Sequence, residues 1–199
     1  MSTTTAPPAL ELRREARRQR LLDAALSLFV EKGFHATSVE DIVAAARTSK
    51  SAFYEHFEAK EDCCRQLLEQ EGGALIASVK AAAAAGADHR QRMRLGVAAF
   101  VRTCLQQGKA ARLLLVESVG VSEAIEAVRH RLHGQFAELV EAEVRHAQGA
   151  GDQGLLGVDP ALFGRVVVGA VNEATGWFLA ARGEDPERLI EGLCRILAP

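Results

Sequence analysis

Residues 37–57, TSVEDIVAAARTSKSAFYEHF, constrain the fold more than any other stretch of the chain. The first half has the apolar spacing of a short buried helix, with Val39, Ile42, Val43 and Ala46 on one face. Ser38 followed by Asp41 resembles a capping box, with Asp in the usual Glu/Gln place, and starts it. The second half, about Ser49 to Phe57, is helix-length yet carries Ser, Lys, Ser, Tyr and His. Phe53 and Phe57 are its only large purely apolar residues. A helix that polar needs neighbours to hold it, and the preceding segment supplies one. Leu12 to Lys32 predicts a helix with Leu22, Ala25, Leu26 and Phe29 on one face. Gly33 is placed to end it in a left-handed cap, with Phe34 packing back.

Beyond Phe57 the pattern stays helical. Lys60 opens a long helix to about Ala85, in which the Gly72-Gly73 pair is a candidate bend. Further helices are expected at 88–107, 109–119, 122–147, 160–182 and 186–197. Asp159-Pro160 and Asp185-Pro186 start the last two, each an N-cap acid with Pro at N1. Residues 148–160 form the one long loop, and residues 1–9 read as a disordered tail. The chain is Ala-rich with only 5% aromatics and few β-branched runs, which favours helix over sheet. The expected fold is all-α, about nine helices. A helix-turn-helix domain of three helices (10–58) precedes a larger helical domain (59–199).

Two short helices joined by a tight turn, the second polar on its outer face, have the layout of a helix-turn-helix. Thr48, Ser49, Lys50, Ser51 and Ala52 then stand at the N-terminal end of the second helix. Short side chains there permit close approach to a major groove, and Lys or Ser can donate to base edges. The positive end of the helix dipole favours nearby phosphate. Tyr54, His56 and Lys60 suit phosphate contacts that set register. Residues 1–20 carry a net charge of +3 within a chain of net charge −2, so a basic end sits on an acidic body. A surface helix in an all-α bundle remains the competing reading of the spacing alone.

Residues 13 to about 68 closely resemble the DNA-binding domain of the TetR family of bacterial transcriptional regulators. The resemblance rests on RLLDAALSLFVEKGF, TSVEDIVAAA and SKSAFYEHFEAKEDC, in order and spacing. It implies a homodimer, a double-stranded DNA operator and a small-molecule effector, with no cofactor. Carried over by position, the DNA contacts are Thr37, Thr48, Ser49, Lys50, Ser51, Ala52, Tyr54, His56 and Lys60. Lys50, Ser51 and Ala52 should face bases, and Thr37, Tyr54, His56 and Lys60 phosphates. Arg13, Arg14, Arg17 and Arg18 are expected to reach backbone or minor groove, or to belong to a disordered arm. Three positions depart from the family pattern. Arg47 stands where the turn usually has Gly, and a left-handed residue there costs roughly 1 kcal/mol. Thr48 replaces Val and is able to cap. Glu55 replaces an aromatic, and its charge needs Arg47 or another cation to offset it near phosphate.

The helix 160–182 is apolar nearly all round, so it needs partners on two sides. One stripe, Phe163, Val167, Ala170, Val171, Ala174 and Phe178, is expected to form the dimer interface with Leu189 and Leu193. Gly164, Gly169 and Gly176 would permit close helix approach. The ligand-pocket candidates are Phe100, Cys104, Arg112, Glu117, His133, Phe136, Asn172, Glu173 and Trp177, each weighed against an ordinary core or interface role. Glu173 with Trp177 is the favoured pair, since a buried carboxylate needs a partner.

Other classes fit poorly. A di-iron helical bundle needs two Glu-x-x-His pairs, and only Glu143 to His146 has that spacing. Glu126, His130 and His133 share a face but lack Cys or further carboxylate partners, so no metal is expected. Neither a Ser-His-Asp order nor a phosphate-binding Gly loop appears, and an enzyme is not expected. A nonspecific architectural DNA protein would need more cations than an acidic chain offers. Cys63, Cys64, Cys104 and Cys194 have no metal spacing and read as small thiols in a reducing compartment. With no signal peptide or membrane span in the pattern, a cytoplasmic location is expected.

Overall fold

The structure, a computed structural model, describes residues 9–181 and 185–197. The expected tail lies outside them, apart from Ala9. Nine α-helices and no strand occur among the described residues. They are α1 (Ala9–Lys32), α2 (Val39–Ala45), α3 (Lys50–Tyr54), α4 (Lys60–Ala83) and α5 (His89–Gln106). Then follow α6 (Gly108–Arg112), α7 (Glu123–Gly149), α8 (Pro160–Ala180) and α9 (Pro186–Leu197). The chain is all-α, as the residue pattern required.

Two compact units divide it, one running to Leu67 and the next starting at Leu68. The division lies inside α4 rather than between residues 58 and 59. The first turns of α4 explain the difference: Cys63, Cys64 and Leu67 are buried in the first unit's core.

In that first unit, Leu21, Leu22, Phe29, Ile42 and Phe53 are fully buried. Phe29 stacks on Phe34 at 5.4 Å, and Phe53 on Phe57 at 5.1 Å. Gly33 ends α1 with φ +83° and donates to the Phe29 carbonyl at 3.0 Å, the expected left-handed cap. The capping box at α2 is complete. Asp41 N–H donates to Ser38 Oγ at 3.1 Å, and Ser38 N–H to Asp41 Oδ2 at 3.0 Å. Arg47 takes φ +51°, the one non-glycine residue in the left-handed region among those described. Thr48 does not cap α3; Ser49 does, accepting from Ala52 N–H at 3.2 Å. The helix it starts is shorter than expected, because the backbone turns after Tyr54.

The second unit is built on α7 against α8. A Cβ on Gly164 would lie 2.6 Å from the Ala137 carbonyl oxygen, so only glycine allows this approach. The expected helix 109–119 is two structures. After Arg112 the chain widens into a π-helix, Leu113–Glu117, and Ser118 N–H donates back to the Leu113 carbonyl at 3.1 Å. α4 runs through Gly72-Gly73 without interruption. Asp159 caps α8 through Ala161 and Leu162 N–H at 2.8 and 3.0 Å. Asp185 Oδ1 accepts from Arg188 N–H at 3.0 Å at the start of α9. Gln148 holds the long loop by donating to the Leu155 and Val158 carbonyls, each at 2.8 Å.

Candidate nucleic-acid interface and ligand cavity

α3 presents Lys50, Ser51 and Tyr54 to solvent, while Ala52 and Phe53 turn into the core. Tyr54 is 57% exposed, a large share for an aromatic ring. Lys50 pairs with Glu40 of α2, and that contact holds the Lys50 ammonium above its ordinary range. The same bond lowers the Glu40 carboxyl. Ser49 and Ser51 hydroxyls lie 2.8 Å apart.

Four expected contacts are placed differently. Ala52 is buried and offers nothing to a base edge. Thr37 is buried as well, its hydroxyl donating to the Gly33 and Leu28 carbonyls at 2.8 and 3.3 Å. Lys60 donates to the Phe34 and Thr37 carbonyls, both at 2.6 Å, and stands 4.2 Å over the Phe34 ring. Its polar group is therefore engaged in fixing the α1–α2 turn rather than facing phosphate. His56 is half-buried with Nε2 inside and no hydrogen-bond partner. Burial first, then the Arg14 charge, keeps its imidazole below the usual range.

The unusual Glu55 is offset by a cation other than Arg47. Arg17 Nη1 reaches its carboxylate at 3.0 Å, and Arg14 Nη2 donates to its carbonyl at 3.4 Å. Arg18 is taken up by Glu15 at 3.2 Å and Gln66 at 2.9 Å. These arginines tie α1 to the end of α3 and to α4, which their sequence position did not disclose.

In the second unit a cavity of about 310 Å³ opens among α4, α5, α7 and α8. That is the lower end of the range for small-molecule sites. Val97, Val140, Val167, Val168 and Val171 make much of its wall. Of the expected pocket residues, Phe100, Phe136 and Asn172 line it. Phe100 and Phe136 meet edge to face at 5.4 Å. Asn172 Nδ2 lies 3.1 Å from His133 Nε2, and His133 faces a smaller void behind that wall. Arg92 and Glu143 also line the cavity, paired at 2.6 Å. Arg92 was not singled out in the sequence, and Glu143 only for its spacing to His146.

The remaining pocket candidates lie elsewhere. Cys104 is buried outside the cavity lining, and burial pushes its thiol up to about 12. Arg112 pairs with Glu117 at 2.8 Å on the surface. Glu173 is exposed and Trp177 is 65% exposed, so the favoured buried pair faces solvent. The stripe of α8 expected at the dimer interface thus packs largely within the unit. Val167, Val171 and Phe178, with Leu193, are buried inside the unit; Phe163, Ala170, Ala174 and Leu189 are half-buried. Phe163 lines a second cavity of about 190 Å³. Leu162, Val166 and Trp177 form the outward stripe, and Ile196 of α9 is exposed too. Gly164 serves the contact with α7, whereas a Cβ on Gly169 would meet nothing within 4 Å.

No group of three metal-binding side chains gathers among the described residues. His130 stays 3.9 Å from Glu126 while His133 turns to Asn172. No described helix is long and apolar enough to cross a membrane. All four thiols are free and buried.

Comparison with known proteins agrees with this division. Residues 21–67 match the family described as bacterial regulatory proteins, tetR family. Residues 86–198 match the tetracyclin repressor-like C-terminal domain. The transcriptional activator FasR of Mycolicibacterium smegmatis is 34% identical over 103 residues, 52% of this chain and 47% of its own. The repressor KstR2 of Rhodococcus jostii is 37% identical over 87 residues, 43% of each chain. The matched stretch thus spans less than half the length of these relatives. Two solved structures share the fold at low identity. FadR of Bacillus halodurans has a TM-score of 0.82 at 18% identity, covering 92% of this chain and 94% of its own. FadR of Bacillus subtilis, solved in complex with stearoyl-CoA, has 0.82 at 17%, covering 90% and 97%.

Proposed function

The chain belongs to the tetR family of bacterial DNA-binding transcriptional regulators, and from that premise we propose that it is a homodimeric repressor released by a small molecule. The observation that carries the reading is the contrast on α3. Ala52 and Phe53 lock the helix to a closed core, while Lys50, Ser51 and Tyr54 are held outward where a major groove can receive them. Lys50 and Ser51 face bases, and Tyr54 faces phosphate, with Thr48 and Ser49 setting the approach. On binding, Lys50 exchanges its exposed Glu40 partner for DNA.

The outward stripe Leu162, Val166 and Trp177, with Ile196, is the surface a second copy would cover. An isologous pair sets two reading helices about one helical turn apart, which calls for a palindromic operator. The apolar cavity in the second unit is where the effector binds. Its occupancy favours a dimer whose reading helices no longer fit the operator, a coupling of about 1–3 kcal/mol. A protein of the same fold solved with an acyl-CoA supports a role for such a cavity in holding apolar ligands. The family is one of regulators and not of enzymes.

Selection of bound duplexes from a random-sequence pool, at near-physiological salt, tests the reading. A palindrome should be recovered by protein that light scattering shows to be a dimer. Enrichment of no sequence by folded, dimeric protein would sink it.

A further inference from the structure

We infer that the inner end of the body cavity is a receptor for a carboxylate carried on an apolar body, formed by Arg129, His133 and Asn172. The inference rests on the cavity being the effector site and names the effector's chemistry. Behind Phe100, Phe136 and Asn172 lies a void of about 20 Å³ that shares these three walls with the large cavity. Arg129 and His133 line it. So small a space takes about one water-sized group. It excludes a ring or a chain but admits a carboxylate oxygen.

The polar atoms around it are incompletely matched. Arg129 has a side chain only 13% exposed, and its Nη1 meets Glu126 Oε1 at 3.4 Å. That carboxylate oxygen already accepts from Gly120 N–H at 2.7 Å. Arg129 Nε is buried with no hydrogen-bond partner. A buried cationic donor left unmet is costly, and an anionic acceptor is what satisfies it best. Arg92, by contrast, is closely matched by Glu143 at 2.6 Å, and Lys80 sits on the exposed side of the cavity. Arg129 is thus the buried cation of this region whose donors are incompletely matched.

His133 supports the assignment. It lies 3.1 Å from Asn172 Nδ2, and burial, then the Arg129 and His130 charges, hold its imidazole below the usual range. A neutral imidazole can take the Asn172 amide N–H at Nε2 and keep its own proton at Nδ1. A carboxylate entering past Asn172 takes over that amide donor and gains the Arg129 N–H. Valine side chains of the large cavity then enclose the apolar body.

The test uses the full chain without DNA and two matched pairs, decanoate with 1-decanol and 4-phenylbutyrate with 4-phenyl-1-butanol. Affinities come from calorimetry, with melting shifts as a second readout. Each acid should bind at least about tenfold tighter than its alcohol, about 1.4 kcal/mol. Arg129→Gln should erase the preference by weakening the acids more than the alcohols. Asn172→Asp, which sets a like charge beside the head group, should weaken the acids alone, and gives an answer even if Arg129→Gln does not fold. Met93 lines the large cavity, and Met93→Trp, which fills it, should remove both members of each pair.

Equal binding of acid and alcohol, abolished by Met93→Trp, overturns the carboxylate receptor but leaves the effector cavity standing. Binding untouched by Met93→Trp, or no binding by any of the four probes, overturns the inference and counts against the cavity as effector site. Duplex selection tests the DNA-reading function independently of these results.

Discussion

The two units spend their apolar residues in opposite ways. The first closes tightly: Phe29, Phe53, Leu21, Leu22 and Ile42 leave no measurable surface, and a five-residue helix is held still against them. The second leaves about 310 Å³ open among side chains that would gain by filling it. A surface that reads a rigid duplex must not move, whereas a receptor must keep room for its guest. Packing quality therefore separates the two roles before any ligand is named.

The largest expected effect comes from breaking the closed core. Phe53→Ala should cost about 3–5 kcal/mol. Denaturant titration should show the loss, and duplex binding should go with it. Milder unfolding would mean that the first unit is less tightly packed than described.

A paired substitution sharpens the contrast. Ala52→Leu overpacks the first unit and should cost about 1–3 kcal/mol, while Val171→Leu grows into the cavity and should be nearly neutral. Equal costs in melting experiments would erase the distinction. Smaller again is Arg47→Gly, which relieves the left-handed residue at φ +51° and should stabilise by up to about 1 kcal/mol.

The smallest effect is on pH. His56 and His133 are both held below the usual imidazole range, chiefly by burial. Arg14 and Glu55 act on the first; Arg129, His130 and Glu126 act on the second. The unfolded chain restores an ordinary value of about 6.5, so it binds the proton more tightly than the folded one. Stability is thus complete above about pH 6.5 and is lost as pH falls through the lower folded values. His133→Asn should flatten the fall in urea midpoint, and an unchanged slope would contradict its burial as a neutral group.

The first unit was the more legible because its signals are local. Gly33, the Ser38–Asp41 box and the Arg47 turn each act over a few residues, and each appears where the sequence placed it. Thr37 and Lys60 were misplaced because a side chain bonding to backbone carbonyls leaves no periodic trace. In the second unit, periodicity disclosed that α8 is apolar nearly all round but not which side faces inward. The contact with α7 at Gly164 decides that, and it turns Val167 and Val171 inward and Trp177 outward. Arg129 was overlooked although it lies between buried Val128 and Leu132 on α7. A charged residue beside an apolar face was the available clue.

The most direct test of the account is the affinity of the wild type and of Lys50→Ala for a duplex recovered by selection. Because Lys50 is exposed and paired with exposed Glu40, its loss should leave melting unchanged. Duplex affinity should fall by about tenfold or more, the scale of one lost base contact. Wild-type affinity in folded Lys50→Ala would contradict the assignment of α3 as the helix that reads DNA.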